Sequence, residues 1–359
     1  MERTVKLLIM EENKAFLPDD IIVNILKGLP VKSLIRFQSV CKHWKNLFKS
    51  PSFIADHLHH SSYQNPSLLL RWHHFGSSNF QLSLLDCNMQ LVEVHNAPLI
   101  DFLSVVRIYG SCNGLLCLEL VDGSRSSRFI LLWNPATRQV RKLPITTNDF
   151  KGLCRVGFGF SPIVNDYKIM MFYVLKNGDS QLSRKKMRVM AWFGDEDDDD
   201  YEDDDYCYIV SFDLSNDDLT LIPMPDVGFC KRQMLTVYES KLALLCHKHT
   251  KAFNWLELWV MEEDGTGTSR ERWSWTEKYC TSYFAGLSCS YPMTVWGNQV
   301  VYEAEPAFES EDEINGETKF VLNLSDAITD EFKKITFPRY SEGHTIYNYA
   351  ESLVSVVNF

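Results

Sequence analysis

No stretch of this 359-residue chain approaches the ~18 consecutive apolar residues that a membrane-spanning helix requires. The first sixteen residues, MERTVKLLIMEENKAF, have too short an apolar core, with acids behind it, to act as a signal peptide. There is no CxxC pair, and the ten cysteines are scattered through apolar segments instead of forming a disulfide framework. These absences predict free thiols in a reducing compartment, and hence a cytoplasmic protein without a membrane partner. A hydrophobic content of 45% against 23% charged residues fits a soluble globular chain.

The signatures of catalysis are missing too. No GxSxG elbow, P-loop or HExxH is present. The Gly157-Phe158-Gly159-Phe160 stretch lacks the third glycine and following helix of a dinucleotide fingerprint. Cys246 and His247 are neighbours in a strand-like segment, so their side chains point to opposite faces and make a poor nucleophile–base pair. His57, His59, His60, His73 and His74 have no companion Cys/Asp set at ligand spacing. No catalytic residue, metal or cofactor is therefore expected. The net charge of −11 is a local feature, because residues 195–205 hold ten acids and leave the remainder near about −1. Nothing basic beyond the first helical stretch is dense enough to bind nucleic acid.

What the chain does have begins at residues 17–53, LPDDIIVNILKGLPVKSLIRFQSVCKHWKNLFKSPSF. Leu17-Pro18-Asp19-Asp20 reads as a helix start, with proline in the first turn and two acids at the positive end of the helix dipole. Ile21, Ile22, Ile25, Leu26 and Leu29 recur at helical spacing, and Gly28 and Pro30 end that helix. A second segment carries Val31, Leu34, Ile35 and Phe37, and a third carries Val40, Cys41, Trp44, Leu47 and Phe48. A module this small has more apolar surface than it can hide within itself. Lys27, Lys32, Arg36, Lys42, Lys45 and Lys49 stand in it without an acid between Ile21 and Ala55. Two readings follow: a cap packed on the rest of the protein, or a docking module for an acidic, apolar groove.

These residues carry a resemblance. Leu17-Pro18, Ile25-Leu26, Leu29-Pro30, Val31-Lys32-Ser33-Leu34, Arg36-Phe37, Val40-Cys41-Lys42, Trp44 and Ser50-Pro51-Ser52-Phe53 follow the order and spacing of an F-box. The resemblance implies binding to a Skp-type adaptor, which joins a cullin scaffold and a RING subunit in an SCF ubiquitin ligase. Leu17, Pro18, Ile22, Leu29, Pro30, Val31 and Leu34 match positions that family members press into the adaptor. Val40, Cys41 and Trp44 match positions shared between adaptor contact and internal core.

From Ser67 onward the pattern changes to short strands of four to eight residues bounded by Gly, Asn, Asp, Pro or Ser, without a long amphipathic helix. FILLWNPATRQVRKLP, IVSFDLSNDDLTLIP and FVLNLSDAITDEFKKITFP each give strand, turn, strand and an apolar-Pro ending. GSCNGLLCLE, ESKLALLC and WGNQVVYEAE give a second recurring unit, a short turn followed by an apolar strand. Roughly four strands per 40 to 50 residues is the period of propeller blades. The expected fold is thus α + β and multidomain: a three-helix module, then a large all-β, kelch-like β-propeller of about six blades. A large sandwich with similar hairpins is the alternative. The expected boundaries are a flexible lead at 1–14, the helical module at 15–60, a linker at 61–66 and the β domain at 67–359. An inserted acidic loop at 194–206 completes the division.

The β half also resembles a known domain. Asn113-Gly114-Leu115-Leu116, Trp133-Asn134-Pro135-Ala136-Thr137, and Gly157-Phe158-Gly159-Phe160 with Asp166-Tyr167-Lys168 look like the F-box-associated domain of plant proteins. Asn-Gly suits a tight hairpin turn, Pro135 presets a turn angle, and Gly157 and Gly159 allow close strand packing. The stretch YPMTVWGNQVVYEAE and the terminal YAESLVSVV look most like S-locus F-box proteins of pollen. This implies a non-catalytic substrate receptor that captures non-self S-RNases for ubiquitination in self-incompatibility. The alternatives are a receptor for another cytosolic protein, or an adaptor that binds a glycan or small ligand. Candidate target contacts are the aromatics near loop ends, Trp192, Phe193, Tyr201, Tyr206, Phe229 and Tyr283, with Asp198 and Asp204 of the acidic run.

Overall fold

The computed structural model describes residues 17–64, 66–73, 80–96, 98, 104–121, 128–146, 153–174, 188–189, 207–214, 216, 218–228, 230, 232–249, 254–263, 273–280, 287–306, 319–326, 332–338 and 345–356. Four helices come first: α1 (Asp19–Lys27), α2 (Val31–Phe37), α3 (Lys42–Leu47) and α4 (Pro51–Gln64). Pro18 caps α1 with an extended backbone, Asp19 and Asp20 occupy its first turn, Lys27 its last, and Gly28 follows. This is the charge order that complements a helix dipole. The fourth helix continues the module from Pro51 to Gln64 and so runs through most of the expected linker. Ser50 accounts for its start, since its hydroxyl accepts the Phe53 N–H at 3.3 Å. Phe53 and His57, one turn apart and both buried, anchor its inner face.

The strands form six sheets among the described residues. The first joins β1 (Ser67–His73), β2 (Phe80–Leu85) and β3 (Leu91–Asn96) to β21 (Thr345–Tyr349), in the order β21-β1-β2-β3. The second is β4 (Ser104–Cys112), β5 (Leu115–Val121), β6 (Arg128–Asn134) and β7 (Gln139–Thr146). A hairpin of β8 (Leu153–Ser161) and β9 (Asp166–Val174) follows, then β10 (Arg188–Val189), β11 (Cys207–Asp213) and β12 (Asp218–Pro223). The last two sheets are β13 (Arg232–Tyr238), β14 (Lys241–His249), β15 (Asn254–Glu263) and β16 (Trp273–Cys280), and β17 (Leu287–Trp296), β18 (Gln299–Pro306), β19 (Lys319–Asp326) and β20 (Phe332–Pro338). The two repeats read in the sequence are the two hairpins of one blade. The strand–turn–strand unit is β6–β7, β11–β12 and β19–β20, and the turn–strand unit leads into β5, β14 and β18.

Alternation along single strands shows how the sheets stack. Leu116, Leu118 and Leu120 of β5 pack on Leu69, Leu82, Leu84 and Tyr347 of the first sheet. Leu115 and Cys117 face the other way, onto Val156 of β8. In β14, Ala243 and Leu245 pack against Val295, Val300 and Tyr302. Leu244 and Cys246 pack against Ile209 and Ile222 of β11 and β12. In β1, Leu68 and Leu70 meet Val301, Leu322 and Leu324. These three strands bury both faces because their sheets lie between two others, so the period-2 pattern appears as a near-continuous apolar run. The β8–β9 hairpin meets the end of β11 where Leu214 approaches Gly159. A Cβ at Gly159 would lie 2.7 Å from Leu214 Cδ1. Gly157 meets nothing within 4 Å, so the packing role expected of both glycines belongs to Gly159 alone. The architecture is a β-propeller.

Two strands escaped the sequence reading. β13 carries Gln, Thr and Arg among its apolar residues, and β21 follows Gly343 and His344 in a polar stretch. β21 completes the first sheet by pairing antiparallel with β1, Tyr349 opposite Ser67. The chain beyond it, residues 350–356, then runs between the propeller and the helices. Leu353 joins the helical core with Ala136 of the β6–β7 turn.

Candidate functional site

The helical module buries Leu26, Val31, Leu34, Phe48 and Phe53 and packs Ile22, Leu29, Phe37, Trp44 and Leu47 around them. The Trp44 ring centroid lies 5.7 Å from Phe37 and 6.4 Å from Phe48, in tilted contacts that favour the edge of one ring on the face of the next. Across the core, His57 Nε2 donates to the Leu29 carbonyl at 3.0 Å. Burial holds the His57 imidazole below its ordinary pKa, and that carbonyl only partly offsets the effect.

Satisfying this core leaves a second apolar surface over. Ile22, Leu26 and Leu29 turn inward, whereas Ile21 and Ile25 are 42% and 54% exposed. Pro18, Ile21 and Ile25 follow one another at steps of three and four and so share one face of α1. Leu17, Ile35 and Val40 are exposed as well. Arg36, Lys42, Lys45 and Lys49 stand exposed on the same module, which adds positive charge to aliphatic surface. Such a surface is suited to a partner that is both apolar and acidic.

The residues expected to press into an adaptor divide three ways. Leu17, Pro18, Pro30, Val40 and Cys41 are exposed, and Ile22, Leu29 and Trp44 are partly buried. Val31 and Leu34, expected there too, are both 0% exposed in the core with Leu353, where they shape the module. Cys41 has a local task, since its thiol sulfur accepts the Trp44 N–H at 3.4 Å and caps α3. Sequence reasoning missed Ile21, Ile25 and Ile35 as surface residues. The signal was present in the width of the pattern, because apolar residues at i, i+1, i+4 and i+5 cover more than the single stripe one core contact needs.

The module is seated on the propeller by polar contacts as well. Lys32 Nζ lies 2.9 Å from Glu93 Oε1, and the Val31 N–H donates to Glu351 Oε2 at 3.2 Å. Burial pushes the Glu93 carboxyl up, but the Lys32 hydrogen bond and the neighbouring positive groups outweigh it and leave the pKa below its ordinary value. Burial pushes the Glu351 carboxyl up, and the Glu93 charge adds to it.

On the β side, Trp192, Phe193, Asp198, Tyr201, Asp204, Tyr206, Phe229 and Tyr283 lie outside the described residues, as does the acidic loop at 194–206. Cys246 and His247 are both buried on opposite faces of β14. A hydrogen bond with Cys230 and burial push the Cys246 thiol far up, which keeps it protonated. Among the described residues no cluster of His, Cys, Asp and Glu is placed to hold a metal ion, and no helix is long and apolar enough to cross a membrane.

The helical module and the β region each match a known family. Residues 16–56 match the F-box domain, and residues 67–196 and 192–291 match the F-box associated beta propeller domain. The chain belongs to the F-box proteins with an F-box-associated β-propeller. An F-box protein of Arabidopsis thaliana is 24% identical over 339 residues, covering 79% of this chain and 77% of its own. A second, from the same plant, is 30% identical over 170 residues, covering 44% of this chain and 41% of its own. An F-box/kelch-repeat protein, also from that plant, is 35% identical over 137 residues, covering 37% and 32%. For the latter two, the chain thus spans less than half the relative's length. Among solved structures, the β-propeller domain of the Trilobed protease from Pyrococcus furiosus is 8% identical, with a TM-score of 0.25 over 76% of this chain and 68% of its own. At that level of similarity the propeller assignment of this F-box protein rests on its own stacked sheets.

Proposed function

We propose that this F-box protein is a substrate-receptor subunit of an SCF-type ubiquitin ligase. The carrying observation is the apolar face that the helical module leaves in water within a segment that matches the F-box domain. In this reading Leu17, Pro18, Ile21, Ile25, Pro30, Ile35, Val40 and Cys41 enter a Skp-type adaptor, which brings the cullin and RING subunits. The propeller holds a target protein, and the receptor works by raising the effective concentration of target lysines near the transferring enzyme, without covalent chemistry of its own.

The helices sit at the end of the propeller where the β2–β3 and β6–β7 turns lie, as the contacts of Glu93 and Ala136 indicate. The opposite end is the target-facing one in this proposal, and Trp192, Phe193, Asp198, Tyr201, Asp204, Tyr206, Phe229 and Tyr283 stay the candidate target contacts by sequence alone. For the target we propose non-self S-RNase, on the resemblance to S-locus F-box proteins. The ten acids at residues 195–205 would steer a basic partner in a salt-dependent way.

Co-purification with a Skp-type adaptor tests the first part. Wild type should hold the adaptor, and Ile21→Glu/Ile25→Glu and Leu17→Ala/Pro18→Ala should lose it while keeping the wild-type circular dichroism. A folded wild-type protein that holds no adaptor would end the ligase reading. For the target, S-RNase capture should weaken, with a shallower salt dependence, when the ten acids are replaced by Asn and Gln. Unchanged capture would remove the steering role.

A further inference from the structure

The segment that follows β21 is bonded on two sides. Asn134, fully buried, donates through Nδ2 to the Ser352 carbonyl at 3.0 Å and the Val354 carbonyl at 2.8 Å. The Val356 N–H donates to Gln139 Oε1 at 3.3 Å, and Val356 is buried in the cluster between the second sheet and the β8–β9 hairpin. Ser352 has no exposed surface and accepts the Val354 N–H on its own hydroxyl. One side of the segment is therefore fixed to the propeller. Its other side is fixed to the helices: Leu353 lies in the core with Leu26, Val31, Leu34, Phe48 and Phe53, and Glu351 accepts the Val31 N–H.

We infer that residues 350–356 are a strap that sets the orientation of the F-box on the propeller, with Glu351 and Leu353 as positioning residues for ubiquitin transfer. This rests on the receptor reading above and adds to it a fixed distance between adaptor and target. The helix α4 enters β1 near the same spot, so the module has one covalent tether; a single tether leaves it free to swing. The Lys32–Glu93 pair is half-exposed on the lysine side and supplies little alone. The strap adds the Leu353 apolar contact and an acceptor for the Val31 N–H, and so provides what the tether lacks.

The Val31 amide offers a direct readout. It is the first residue of α2, where an N–H has no partner within the helix, and its acceptor is Glu351. Its hydrogen exchange thus reports strap docking, whereas the Leu34 amide, bonded to the Pro30 carbonyl, reports the helix itself. Residue-resolved exchange on the full chain should show Val31 protected in wild type. Asn134→Ala, which frees the strap from the propeller side, should raise Val31 exchange by at least the roughly two- to tenfold that losing one net hydrogen bond gives, and Leu353→Ala should raise it as well. Leu34 exchange and adaptor co-purification should stay unchanged. If Leu353→Ala also raises Leu34 exchange, Asn134→Ala decides the matter, because it leaves the helical core intact. Val31 exchanging at the free-peptide rate in wild type, or unchanged in Asn134→Ala, would overturn the strap. Loss of adaptor binding by wild type would instead overturn the receptor reading, and the exchange result would stand apart from it.

Discussion

Gly114 presents its bare Cα to Ser352: a Cβ there would lie 2.7 Å from the Ser352 Cβ and 2.7 Å from the Ala350 carbonyl oxygen. Its φ of +77° also lies in the left-handed region that L side chains rarely adopt. Asn113 beside it has φ +51°, and two positive φ values in succession are the turn that the Asn-Gly pair favours. Gly114→Ala should therefore lose stability twice over, by about 2 to 4 kcal/mol in all. A denaturant titration followed by tryptophan fluorescence measures it, and a change within the noise would mean the segment after β21 yields without cost.

The inward and outward aliphatic residues of the helical module should separate in experiment. Leu34→Ala removes a fully buried side chain and should lower stability by about 2 to 5 kcal/mol. Ile21→Ala and Val40→Ala, on exposed positions, should change stability by less than about 0.5 kcal/mol. Adaptor binding by folded protein should show the reverse ranking when measured by calorimetry.

His57 predicts a loss of stability on the acid side. Burial lowers its folded-state pKa, so the unfolded chain binds a proton that the folded chain refuses. The stability it contributes is complete above the unfolded value near about 6.5 and declines as pH falls below that. His57→Phe should flatten this part of a pH–stability curve recorded from pH 8 to pH 5.

Glu351 has the opposite sign. Its folded-state pKa is raised by burial and by Glu93, with Lys32 and the Val31 N–H acting against them. The favourable protonated form is complete below the ordinary carboxylate range, and stability is lost as pH rises through the raised value. Glu351→Gln keeps an acceptor for Val31 without the charge. It should be at least as stable as wild type at pH 8, as thermal unfolding of the two proteins side by side would show.

Much of this was legible in the sequence. The repeated strand–turn–strand units identified the blades because apolar alternation and Asn/Asp turns act locally. The F-box stood out because Leu17-Pro18 and Leu29-Pro30 combine helix signals with fixed spacing. What escaped depended on contacts distant in sequence. Val31 and Leu34 read as partner contacts, but Leu353, more than three hundred residues on, covers them. Asn134 read as a turn residue, and its bonds reach Ser352 and Val354. The face of α1 split in two because its pattern fits either one broad core contact or two narrow ones, and the sequence of α1 alone does not choose.

The pairing of β21 with β1 also orders events in time. Most contacts of the helices are local and can form as soon as they are made, whereas the Leu353 contact and the Glu351 acceptor arrive more than three hundred residues later. The ring cannot close until residue 349 exists to lie beside Ser67, and contacts so far apart in sequence form slowly. A nascent chain therefore carries the helices, with Ile21 and Ile25 exposed, ahead of an unfinished propeller with open sheet edges. In the proposed reading, an adaptor present during synthesis would therefore meet the helices before the propeller has closed.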